Sequence, residues 1–192
     1  MTLSLKASEA ILEEGSLLIF DIGGNTKANK HDVREKLFHY LTLKAKKVGP
    51  YQKAIKHYNQ SEKKIEVCIN DNAYSCVKRK VQDEFEYIFF SEKLRYNQLA
   101  LKERKFKREL EKNKGVLKKT KIGKDIDEFL TNEGIVTTKG HLQTTLEQMK
   151  NPRVNGLEGF FILESSLDIE PVCALALYKD KDKAEKLFRS IK

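Results

Sequence analysis

A continuous apolar run, Leu17-Leu18-Ile19-Phe20, stops at Asp21 and gives way to the glycines Gly23 and Gly24. A short unbroken apolar run bounded in this way predicts a strand buried on both faces, inside a sheet that carries helices. Glycine in the turn beyond it permits positive φ at little steric cost. The polar segment from Ala28 to about Phe38 then reads as a helix, and Tyr40-Leu41-Thr42-Leu43 as a second strand. Strand, turn, helix, strand is the order of α/β architecture, so α/β is the predicted fold class. A carboxylate at the carboxyl end of a buried strand lines the crevice where α/β proteins bind ligands. Asp21 is therefore a candidate site residue, with a turn-capping role as its structural alternative.

The other end of the chain carries a second constellation. Pro171 suits the first turn of a helix, where its missing N–H would have no partner anyway. Along that helix Tyr178, Lys181, Glu185 and Lys192 follow one another at spacings of three, four and seven residues. At about 3.6 residues per turn these four side chains share one face. A glutamate framed by a tyrosine and two cations suits a metal-binding carboxylate beside groups that hold a polyanion. The plainer alternative is a solvated face on which Glu185 pairs with Lys181, with Leu177, Ala184, Leu187 and Phe188 packed beneath.

Between these ends Ile65, Val67 and Ile69 alternate with polar residues, and Asn70-Asp71-Asn72 is turn chemistry. Tyr74 to Val81 reads as the return strand, Tyr87 to Phe90 as a third and Gly159 to Leu163 as a later one. Ser91 opens a long helix to about Leu117 with an imperfect apolar stripe. Shorter helices are predicted over Leu5 to Glu14, around Asp125 to Leu130 and over His141 to Met149. Gly49-Pro50 reads as a boundary. The predicted organisation is thus residues 1–48 as one part of a core, 49–155 as an inserted basic α+β subdomain, and 156–192 as a returning strand and helix.

Charge narrows the partner. The chain has 192 residues and a formal net charge of +9. Between Lys93 and Lys124 there are 13 Lys and Arg against 3 Asp and Glu, a local excess larger than that of the whole chain. Such a balance suits double-stranded DNA, and Lys102, Arg104, Lys105, Lys107 and Arg108 are the candidate phosphate contacts. A non-catalytic basic DNA-binding or interaction protein satisfies the same charge pattern. Cys68, Cys76 and Cys173 have no metal-ligand spacing and read as buried thiols in a reducing compartment. No apolar run reaches the roughly 20 residues of a membrane span and no secretory pattern opens the chain, so a cytoplasmic protein with no membrane partner is predicted.

The glycine turn does not match the phosphate loop of Walker type, which needs four residues between its first glycine and Gly-Lys. It is closer to the Asp-x-Gly-Gly-Thr turn of actin-like-fold sugar kinases, although Asn25 separates the glycines from Thr26. A stronger resemblance joins the two ends of the chain. Tyr178, Lys181, Glu185 and Lys192 resemble the tyrosine–arginine–glutamate–lysine signature of a large bacterial and archaeal group of insertion-sequence DDE transposases, with lysine in the arginine position. Gly159 to Ser165 looks like the strand that leads into the signature helix. Phe20 to Asn29 looks like the family's second aspartate segment, with Ile22 where a basic residue is common.

That resemblance implies a ribonuclease H-like core that uses two aspartates, a glutamate and two Mg2+ ions (Mn2+ as substitute) to cut and join DNA strands. Asp21 and Glu185 would be the second and third carboxylates and metal ligands, and Tyr178, Lys181 and Lys192 would contact DNA. The resemblance also implies a homodimer as the form of the intact protein. Asp21 is the first aspartate in this chain, so the resemblance further implies a transposase fragment that is inactive alone.

Overall fold

A computed structural model describes residues 12–112, 151 and 153–190, with the side chains of 109–112, 182 and 184–190 outside that description. The predicted helices of Leu5–Glu14, Asp125–Leu130 and His141–Met149 fall wholly or largely outside the described residues. Two compact units divide the chain, one formed by residues 1–93 with 159–192 and the other by 94–158. These limits differ from the boundaries read at 48/49 and 155/156, because the strands between them join the same sheet as the ends of the chain.

The first unit is a mixed α/β sheet. Its strands are β1 (Leu17–Phe20), β2 (His39–Leu43), β3 (Ile65–Ile69), β4 (Asn72–Val81), β5 (Glu84–Phe90) and β6 (Phe160–Ser165). They lie in the order β1-β2-β6-β5-β4-β3. β1 and β2 run parallel, with Phe20 opposite Thr42, as a strand–helix–strand unit requires. Every other neighbour is antiparallel. Asn70 and Asp71 both take positive φ, 49° and 57°, in the two-residue turn between β3 and β4. That turn matches the twist of the hairpin, and Asn and Asp tolerate it better than most residues.

Among the described residues there are four helices: α1 (Lys27–Glu35), α2 (Val48–Gln60), α3 (Glu92–Lys112) and α4 (Pro171–Ser190). α1 begins at Thr26, whose hydroxyl accepts the Asn29 N–H. α2 has no counterpart in the sequence reading. Gly49 and Pro50 open it rather than break the chain, since proline is tolerated in a first turn. Its buried stripe is Tyr51, Ala54 and Tyr58, a sparse pattern that hydrophobic periodicity does not reveal.

Each face of the sheet buries an apolar cluster, that of the α1 side being Phe20, Val33, Phe38 and Tyr40. On the other face Leu41, Val67, Cys76, Tyr87, Phe89 and Leu163 pack with Ala174 and Leu175 of α4. Tyr178 also packs against this core, whereas Leu177, expected on the packed side, is exposed. Residues Ala184, Leu187 and Phe188 lie outside the described side chains. The cysteines are free, but only Cys76 is buried; Cys68 and Cys173 are exposed, against expectation. Burial pushes the Cys76 thiol up to about 12. Among the described residues no helix is long and apolar enough to cross a membrane.

Two sets of contacts fix the direction of α4. The Tyr87 hydroxyl accepts the Ile169 N–H at 2.8 Å just before the helix. Lys179, in its third turn, donates to the Tyr74 hydroxyl at 2.6 Å. Along the β4–β5 ladder Tyr74 lies beyond Tyr87 toward the end of the sheet at which β1 and β2 finish. The helix therefore advances toward the end where Asp21 stands.

Candidate functional site

Asp21 is exposed immediately after β1, and its backbone carbonyl accepts the Thr42 hydroxyl of the neighbouring strand at 3.3 Å. Its Oδ1 accepts the Gly24 N–H at 3.1 Å, so the turn-capping role is present. Neither Gly23 nor Gly24 has positive φ; space is what Gly24 supplies. A Cβ there would stand 3.0 Å from Phe20 Cδ2, so the turn folds back onto the strand it leaves. Asn29 closes the turn by donating to the Gly24 carbonyl at 2.8 Å. Asn25 reaches inward, its Nδ2 placed 2.9 Å from both the Leu43 carbonyl and Glu164 Oε2. The polar residues of this segment thus hold one another and leave the Asp21 carboxylate at the surface.

Beneath the turn lies a charge network that sequence reasoning missed. Glu86 and Glu164 are opposite one another on β5 and β6 and are 2% and 6% exposed. Glu164 accepts from Lys30 at 2.9 Å and from Lys44 at 2.7 Å. Lys44 also pairs with Glu86, which Arg79 engages at 2.5 Å. Lys30 extends the network to Glu84 at 3.0 Å, and the Tyr40 hydroxyl donates to Glu84 at 2.5 Å. Burial alone would raise the Glu164 pKa, but hydrogen bonds from Lys44 and Asn25 and the charge of Lys30 hold it below the usual range. Burial would likewise lower that of Lys44, and Glu164 and Glu86 outweigh it, so the ammonium is held above its ordinary value. Burial, with Glu84 beside it, pushes the Tyr40 phenol upward. The alternation in Glu84-Phe85-Glu86-Tyr87 was the available signal. It suggests a solvated acidic face, whereas α1 and its lysine cover it.

Of the signature residues, Tyr178 is half-buried against the apolar core and Lys181 lies over its ring at 5.5 Å. The backbone of α4 continues through Glu185, but the Glu185 side chain and Lys192 lie outside the described residues. The predicted meeting of the Asp21 and Glu185 carboxylates therefore also lies outside them. In the second unit Arg104, Lys105, Lys107 and Arg108 are exposed along α3, around the buried Phe106. Lys107 approaches Glu103 at 3.9 Å, an i,i+4 surface pair of little energetic weight. Lys102 differs from the other four. Its ammonium donates to the Arg153 carbonyl at 2.6 Å and pairs with the buried Glu158, so it braces its own unit instead of facing a ligand.

Magnesium takes about six oxygen ligands in near-octahedral geometry, usually with one or two carboxylates among them. Among the described residues no group of three or more His, Cys, Asp or Glu side chains is placed to hold a metal ion, Asp21 included. The described donors by themselves therefore do not make a magnesium site. No protein-family model matches the chain, and no curated protein or solved structure matches it.

Proposed function

We propose that this chain is part of the catalytic core of an insertion-sequence DDE transposase, a ribonuclease H-like core that cuts and transfers DNA strands. In this reading Asp21 and Glu185 are catalytic carboxylates and ligands of Mg2+, with Mn2+ as a substitute. Tyr178, Lys181 and Lys192 contact duplex DNA beside them, and Arg104, Lys105, Lys107 and Arg108 contact it from the second unit. The enzyme works in the cytoplasm as a homodimer. One observation carries the reading: a parallel pair of strands ends at an exposed aspartate, and the signature helix advances toward that same end of the sheet.

Two carboxylates leave a two-metal centre short of a ligand, so this chain alone is expected to show no strand cleavage. Metal binding is therefore the direct test. Titration with Mn2+, followed by electron paramagnetic resonance, should show a site that Asp21→Asn and Glu185→Gln each weaken at least about tenfold, or about 1.4 kcal/mol. Mn2+ binding unchanged by both substitutions would overturn the assignment. Salt-sensitive DNA binding without any metal site would leave a non-catalytic DNA-binding protein.

A further inference from the structure

A dense basic surface of the first unit lies on α2 and the segments that flank it. Residues 44–64 hold seven lysines and a single acid, Glu62. Lys44 is drawn into the internal network with Glu86 and Glu164. The other six, Lys46, Lys47, Lys53, Lys56, Lys63 and Lys64, are all exposed. Lys46 and Lys64 rest over the rings of Tyr51 and Tyr58 at 5.9 and 4.7 Å, which steadies the two ends. Lys53, Lys56 and Lys63 form no ion pair among the described residues. Because Tyr51, Ala54 and Tyr58 face inward, the helical period sets Lys53 and Lys56 on the outward side.

We propose that the outward face of α2 is a docking surface for duplex DNA. The proposal shares its partner with the transposase reading and rests on it, but it assigns a separate surface. Charge complementarity selects a polyanion, and the rest of the face selects which one. Between the lysines the exposed residues of the helix are Val48, Gly49 and Pro50 in its first turn and Gln52, His57, Asn59 and Gln60 beyond it. No exposed Phe, Tyr or Trp stands there to stack an unpaired base. No apolar band stands there to enter a bilayer. A rigid helix about 20 Å long spans roughly six base-pair steps. The major groove of B-form DNA admits such a helix, whereas that of duplex RNA is too narrow. Paired lysines before and after the helix then meet the phosphates at the two ends of that span, and the amides between them face the groove.

The test is fluorescence anisotropy of a short labelled DNA duplex with the full chain over a series of salt concentrations. A variant carrying Lys47→Ala, Lys53→Ala, Lys56→Ala and Lys63→Ala should keep the wild-type melting temperature, since all four are exposed. Its logarithmic salt slope should fall by about 0.9 per lost phosphate contact, about 3 to 4 in all. A second variant with only Lys53→Gln and Lys56→Gln should lose about half as much. An unchanged slope in both would overturn the proposal. If Arg104→Ala, Lys105→Ala, Lys107→Ala and Arg108→Ala together abolish binding in that case, the transposase reading survives without it. Tighter binding to single strands, to duplex RNA or to phosphatidylserine vesicles than to duplex DNA would also overturn it. Absence of duplex binding altogether would remove both.

Discussion

The two faces of the sheet are built from alternate residues of the same strands, yet they hold the protein together by different means. Leu163 faces α4 and Glu164 the charge network; Leu41 and Thr42 divide in the same way, as do Tyr87 and Glu86. The α4 side buries hydrocarbon and rings, which stabilises by about 25 cal/mol per Å2 and tolerates small shifts of position. The opposite side buries an apolar cluster of its own, Phe20, Val33, Phe38 and Tyr40, but beside it stand carboxylates whose desolvation is offset only when every partner is in place. A charge network is thus a poor source of net stability and a good means of fixing one arrangement. Here it fixes Lys30 of α1, Lys44 after β2 and Asn25 of the turn around one glutamate. The turn it fixes is the one that presents Asp21.

The largest expected effect breaks that network. Glu164→Ala should destabilise by about 3–5 kcal/mol, because it leaves two ammonium groups and an amide facing a buried void. Leu163→Ala, one residue away and on the other face, should lose about 2–5 kcal/mol by the ordinary transfer and cavity terms. Urea unfolding separates the mechanisms when partners are removed jointly. Adding Lys30→Met and Lys44→Met to a Glu164→Leu variant should recover much of the loss, whereas no second substitution repairs Leu163→Ala so simply. If Glu164→Ala cost less than about 1 kcal/mol, the network would be a solvated cluster and the comparison would fail.

A pH series sharpens the same contrast. The Glu164 carboxyl is held below its usual value in the folded protein, so the unfolded chain takes up its proton first as pH falls. Its contribution is fully present above the usual carboxylate value, about 4.3, and is lost as pH falls through the folded value. The Lys44 ammonium is held above its ordinary value, so its contribution is complete below about 10.4 and is lost as pH rises through the folded value. Stability should therefore form a plateau between about pH 5 and 10 and decline on both sides. Glu164→Gln should flatten the acid limb only in part, because Lys102 and the backbone also hold Glu158 low in the other unit. An acid limb identical in the variant would remove Glu164 from the account. Substitution on the apolar face, as in Leu163→Ala, should lower the plateau without changing the shape of the limbs.

What the sequence disclosed follows the same division. The strands were legible because apolar runs and alternation report burial of hydrocarbon, and β1, β2 and β6 begin or end within a few residues of expectation. The hairpin at Asn70-Asp71 was legible because its turn needs residues that accept positive φ. Hidden from the same reasoning was everything that depends on a partner distant in sequence. Glu86 and Glu164 look like surface acids until Lys30 and Lys44 are brought over them from 134 residues away in one case. Lys102 looked free for the same reason, and Glu158 was its missing partner. α2 was hidden because glycine and proline stand in its first turn and its buried stripe is mostly tyrosine. Asp21 was picked out from its position alone, and its hydrogen bond to Gly24 shows the capping role, beside which the catalytic role is the one proposed above.

The capping role yields the smallest expected effect on stability. Asp21→Asn retains a side-chain oxygen to accept the Gly24 N–H, and the residue is exposed, so unfolding free energy should change by no more than about 0.5 kcal/mol. Asp21→Ala removes the acceptor and should cost about 1 kcal/mol, the usual value for a lost cap at a turn or helix start. Neither change touches Glu164 or Asn25, so the polar face should remain intact in both, with the acid limb unaltered. Metal binding should respond in a different order: Asn and Ala should be equally damaging, because a neutral amide lacks the charge that a divalent ion requires. Stability graded from wild type through Asn to Ala, with Mn2+ affinity lost at the first step, would separate the turn role of Asp21 from its proposed catalytic one. Affinity that instead tracks stability through the series would reduce Asp21 to the cap of a well-made turn.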